Sequence, residues 1–184
     1  MSCVQSLKGL VFDQCEANLA GVKNVYLTDM DAIENEGAVD ADLTALTVSS
    51  ISSAVTFYHY GMDEQTGYLT STSLVGDNGR IRGYTNEIRI AFPKITAEKQ
   101  AEFFALTHNP VRALVEDNNG IWHYVSYDQW MRASDGATAQ TGQSYDDENG
   151  YEVIISGRSA YPSFIVPADV AKAVISEPDT VAGN

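Results

Sequence analysis

In "EIRIAF" (87–92), Ile88, Ile90 and Phe92 alternate strictly with Glu87, Arg89 and Ala91. A period of two belongs to a strand that buries one face. The run before it, "GYLTSTSLVGDNGRIRGYTN" (67–86), is rich in Thr and Ser and polar on both faces. Midway through it, Gly76-Asp77-Asn78-Gly79 supplies turn chemistry, because Asn and Gly accept positive φ at little cost. The two runs predict a hairpin whose base is half-buried and whose tip has little to bury in its own domain. Such a tip is either a solvated loop on a short hairpin or an arm, spanning 61–86, that reaches another molecule.

The same patterns predict the other elements. "GVKNVYLTDM" (21–30) alternates as a strand, and "LTVSSISSAVTFYHYG" (46–61) has strand composition. Between them, "DAIENEGAVDADL" (31–43) is acidic and aperiodic and reads as a loop. "PKITAEKQAEFFALTHNP" (93–110) predicts a helix over about 96–107, with Thr96 as N-cap, Glu98 in the first turn and Asn109-Pro110 as the stop. Ala97, Ala101, Phe104 and Ala105 form one stripe on it, while Phe103 and Leu106 lie opposite. A helix that is apolar on two sides is sandwiched in a core or covered by a neighbouring chain. "VRALVED" (111–117), "NNG" and "IWHYVSYD" (121–128) read as strand, tight turn and returning strand. Residues 129–150 read as a connection, "YEVIISG" (151–157) as a strand, and "RSAYPSFIV" (158–166) as an extended segment broken at Pro162. A tail over 167–184 follows, with a short helix at 168–175. The order predicts one α+β, mainly β domain over 1–166: an antiparallel β-sandwich or half-barrel with one flanking helix and a long β-hairpin arm.

Charge narrows the classes of function. The 184 residues carry 25 Asp and Glu against 11 Lys and Arg, a formal charge of −14. Such a surface does not grip nucleic acid by neutralising phosphates, and an anionic membrane repels it. No apolar run reaches the length of a membrane span, and the N-terminal residues do not read as a secretory signal. Cys3 and Cys15 are expected as reduced thiols rather than as a bridge.

The candidate chemistry is sparse. The acidic clusters Asp117–Gly120 and Asp146–Gly150 invite a metal reading, but with Gly150 at the sixth place of a calcium loop, Tyr145 and Ser156 fall on the first and twelfth. A weaker calcium site at Asp146, Asp147 and Glu148 is the residual form of that idea. His59, His108 and His123 fall in different elements, and no zinc, phosphate-loop or serine-hydrolase motif is present. The acidic clusters are therefore expected to be turns, with no catalytic residues, cofactor or metal. A binding module is the other class of reading. Its exposed platform would be drawn from Trp122, Tyr124, Tyr127 and Trp130, and a carbohydrate-binding or adhesin-like monomer would use it.

The stretches "PVRALVEDNNGIWHYVSYD" (110–128), "ASDGATAQTGQSY" (133–145) and "DDENGYEVIISGRSAYPSFIV" (146–166) together resemble the C-terminal half of phage tail-tube-type virion proteins, as in phages of Bacteroidota. "VYLTD" (25–29), "FYHYG" (57–61) and the helix-bearing segment 87–110 are similar in layout, so the likeness spans about residues 1–166. The chain departs from the pattern at "SYDQWM", where a Gly is usual, and beyond Pro167. The resemblance implies a non-enzymatic subunit of a homo-oligomeric ring, expected as a hexamer, in a phage tail tube or tail connector. Its partners would be itself and neighbouring tail or connector proteins, with no sequence-specific nucleic-acid binding and no membrane. It would be made in the host cytoplasm and located in the virion, lining an acidic channel through which DNA passes. The candidate contact residues are then Tyr68, Leu69, Leu74, Val75, Arg80, Ile81, Arg82 and Tyr84 on the arm, with Phe103 and Leu106 on the helix.

Overall fold

A computed structural model describes residues 18–30, 33, 39–62, 66–134, 137–144 and 146–176. Cys3, Cys15 and most of the N-terminal segment lie outside the described residues, as does the end of the tail. In chain order the described elements are β1 (Val22–Asp29), β2 (Val39–Asp42), β3 (Thr47–Ile51), β4 (Phe57–Tyr60), β5 (Tyr68–Val75), β6 (Ile81–Pro93) and α1 (Ala97–His108). They continue with β7 (Val111–Asp117), β8 (Trp122–Val125), β9 (Arg132–Ala133), β10 (Thr138–Gln140), β11 (Gly150–Ser159), β12 (Phe164–Val166), α2 (Ala168–Lys172) and β13 (Ile175–Ser176). The fold is mainly β, in two sheets. The larger runs β13-β4-β1-β7-β8-β12-β3-β2, and the smaller runs β10-β11-β6-β5, with β9 also on β11.

The strict alternation in β6 does what the pattern predicts. Ile88, Ile90 and Phe92 turn inward, pair in register with Ile155, Val153 and Tyr151 of β11, and meet the face of the larger sheet that carries Val25, Leu27, Ala113 and Val115. This sandwich core is capped by Leu106 from α1. Tyr26, Leu114 and Tyr124 alternate to the opposite face of the same central strands, where they join Phe57, Phe164 and Trp122 in a second core. The centre of the larger sheet is thus buried on both sides.

The second core exists because the larger sheet curls. β12 and β13 stand five strands apart in it, which in a flat sheet would be about 24 Å. Only residues 167–174 join them, and with α2 among them they span at most about 20 Å. The sheet closes around this strap, which drops Ala171 and Val174 into the enclosed space. The segment expected as a tail is therefore built into the fold as far as Ser176. The pairings β12–β3 and β13–β4 are parallel, where antiparallel pairing alone was expected.

Three other expectations are corrected. The acidic stretch 31–43 contains β2, which forms by pairing with β3 rather than through a pattern of its own. The stretch of strand composition over 46–61 is divided into β3 and β4 between Ile51 and Phe57, where a turn donates Val55 N–H to the Ser52 carbonyl at 3.1 Å. The connection 129–150 contributes β9 and β10, both held on β11. Among the described residues no helix is long and apolar enough to cross a membrane.

Candidate functional site

The acidic clusters are turns. Asp117 Oδ1 accepts the backbone N–H groups of Asn119 (2.9 Å) and Ile121 (2.8 Å), and its own N–H donates to the Ile121 carbonyl (3.0 Å). The carboxylate thereby closes the β7–β8 hairpin as an Asx-type turn. Asp147 Oδ2 likewise accepts from Gln143 N–H (2.8 Å) and Ser144 N–H (2.7 Å), and these bonds hold its carboxyl below the usual aspartate range. Both carboxylates are engaged with backbone amides next to them in sequence. Among the described residues no group of three or more His, Cys, Asp or Glu side chains is placed to hold a metal ion. The three histidines are separate: His59 bonds Asn24, His108 stacks on Phe104, and His123 lies 3.6 Å from Asp117.

The four aromatics drawn for a binding platform do not share a surface. Trp122 and Tyr124 belong to the second core, Tyr127 packs edge-on to Tyr124, and Trp130 lies under the Arg112 guanidinium.

The hairpin is real. β5 pairs with β6 from Tyr68↔Arg89 to Val75↔Ile81, and the turn closes with Gly76 N–H on the Arg80 carbonyl (2.8 Å). The partner on the other side of β6 ends earlier, because β11 stops at Ser159 opposite Tyr84. Beyond that point only two strands remain, and they project as an arm. Its departure requires Gly83, which has φ +154° and whose added Cβ would lie 2.7 Å from the Ser159 carbonyl oxygen. At the tip Val75 and Ile81 are 63% and 59% exposed, and Arg80 and Arg82 are exposed beside them. Neither arginine forms an ion pair with a described residue. Leu74 and Tyr84 are half-buried. At the base, Leu69 packs on the sandwich core, and the Tyr68 hydroxyl donates to Glu87 (2.6 Å). The outer edge of β5 carries no strand among those described.

On α1 the expected contact residues are corrected. Leu106 is 3% exposed and lies in the sandwich core, and Phe103 is half-buried against Tyr151 at 5.1 Å between ring centroids. Neither offers the helix's free face. That face belongs to the other stripe, where Phe104 is 62% exposed and stacks on His108, 4.1 Å away. Both stripes are apolar in sequence. The one holding the larger pair, Phe103 and Leu106, took the core.

Beneath α1, between it and the β1–β4 pair, lies an open groove of about 490 Å³. It is lined by Phe92, Val111, Tyr58 and Tyr60, with Asp29 and Glu102 beside them. The Tyr60 hydroxyl donates to Glu102 at 2.9 Å. Burial first, then the negative charges of Glu102 and Asp29, push the Tyr60 phenol above its ordinary range. Two acids thus converge on one apolar recess. Sequence reasoning missed this groove because its parts come from five elements, β1, β4, β6, α1 and β7, and none carries a motif. No family model matches this chain, and no curated protein matches it.

Proposed function

We propose that this chain is a non-enzymatic virion structural protein that assembles as a homo-oligomeric ring of a phage tail tube or tail connector. The observation that carries the reading is the β5–β6 arm. It runs past the end of its own sheet, exposes Val75 and Ile81 at its tip, and buries neither against its own domain. Exposed apolar side chains set side by side on a projecting hairpin suit a surface completed by a partner. The β5 edge beside it, which carries no strand among those described, suits edge-to-edge joining of subunits, and heterologous contacts that close a rotation make rings. The free face of α1 with Phe104 adds a second contact.

With a charge of −14 per subunit, a closed ring presents a strongly negative wall. DNA inside such a channel is repelled by it and slides without sticking. The acidic turns then serve to shape hairpin ends, and they add to this field without forming a site.

The test is to excise the arm. Residues 74–83 are replaced by Asn-Gly, joining Ser73 to Tyr84 across a two-residue hairpin turn. The shortened chain should keep the thermal midpoint of the parent to within a few degrees and lose assembly in sedimentation. A shortened chain that still forms the parent's oligomer contradicts the reading.

A further inference from the structure

We infer that the arm tip of one copy docks in the groove beneath α1 of the next, so that copies of this chain join head to tail. The inference rests on the ring reading above and names the surface that receives the arm.

Charge is the first argument. Arg80 and Arg82 are two of the chain's 11 Lys and Arg residues, set within three positions of a chain that holds 25 acids. Against them the turn 76–82 carries one acid, Asp77, so the tip is a local positive spot on a negative molecule. Arg82 is laid across the turn: a Cβ on Gly76 would lie 2.3 Å from its Nε. The tip therefore presents guanidinium groups beside the exposed Val75 and Ile81. The groove has the complementary composition. Its walls carry Phe92, Val111, Tyr58 and Tyr60, its rim holds the acids Asp29 and Glu102, and its bases are Lys99, whose Nζ donates to the Pro93 carbonyl oxygen, and His59, which bonds Asn24. An arginine reaching the rim meets two exposed carboxylates, and a charge-assisted hydrogen bond is stronger than a neutral one. The volume of about 490 Å³ lies within the range of sites that enclose a drug-sized ligand, and so has room for the ends of a few side chains.

Geometry is the second. Ile81 at the tip and Phe92 in the groove belong to one strand, β6, and are separated by its length. At about 3.3 Å per residue that is roughly 35 Å. The tip points away from its own groove, so the partner is another copy. A contact that joins one end of a molecule to the opposite end of the next is heterologous, and it makes a ring where its rotation closes.

The test is a charge exchange, read by sedimentation velocity over a range of concentrations at moderate salt. Arg80→Glu with Arg82→Glu should raise the concentration for half-assembly at least tenfold, as should Asp29→Lys with Glu102→Lys. All four together should return it to within threefold of the parent. A parent that assembles while the arm reversal leaves assembly within threefold overturns the contact, and so does a fourfold variant that does not recover. In either case the ring reading survives. A parent that stays monomeric is the distinct failure of the ring reading and takes the contact with it. Circular dichroism checks that each variant folds. For a groove variant that does not, Arg80→Cys and Glu102→Cys in a chain with Cys3→Ser and Cys15→Ser replace it. Oxidation then yields a ladder of linked chains, and an assembled sample without a ladder overturns the contact.

Discussion

Glu152 of β11 and Arg89 of β6 meet diagonally across the strand pair with two parallel bonds, Nε to Oε1 at 2.8 Å and Nη2 to Oε2 at 2.9 Å. The Arg89 hydrogen bonds hold the Glu152 carboxyl below its ordinary value. A carboxyl depressed on folding contributes stability that is present above its unfolded pKa and lost as pH falls through the folded one. Glu152→Gln should therefore cost about 1 kcal/mol at pH 7, the upper end for a partly exposed pair, and nothing near pH 2. Denaturant midpoints of the two chains at both pH values measure this, and a cost that persists at pH 2 would show that the ion pair is not its source. Residue-scale chemistry was well served by the sequence where it was local. Asp117 and Asp147 read as turn residues because both carboxylates bond backbone N–H groups within four positions of themselves. Gly150 was legible only as part of an Asn-Gly turn. Its structural reason, a Cβ that would sit 2.5 Å from the Phe92 carbonyl oxygen, depends on a strand 58 residues away.

At the scale of elements, α1 separates two kinds of apolar residue. Leu106→Ala should destabilise the fold by about 2–5 kcal/mol, since it empties a buried position in the sandwich core. Phe104→Asp should change stability by no more than about 0.5 kcal/mol and weaken assembly instead. Equal destabilisation by both would mean that the outer face is already covered within the protomer. The helix itself, its Thr96 cap and its end were legible, as were β1, β5 through β8 and β11, because each has a period, a strand composition or a flanking turn of its own. Thr96 Oγ1 does accept the Lys99 N–H, at 3.2 Å. Which face of α1 turns inward was not legible, because both are apolar and only the Phe92–Tyr151 pair beneath it decides. β2, β9 and β10 were missed for a related reason. They have two to four residues each and exist through the long strands beside them.

For the whole molecule, alternation on the central strands places one core on each side of the larger sheet, and the strap 167–174 closes the second. The mainly β, sandwich-like class followed from the strand patterns. The curl and the two parallel pairings did not, since they depend on where β12 and β13 land and not on how they read. The exposed features fall at opposite ends of β6, with a positive, apolar tip at one and an acidic groove at the other. That polarity is the physical basis for proposing a closed ring. The most direct measurement is the mass of the purified full chain in solution across concentration at moderate salt, paired with negative-stain images of the same sample. The account predicts a discrete mass near six subunits and closed rings, or stacks of them, in the images. A single species at the 20.0 kDa monomer mass at every concentration would contradict it.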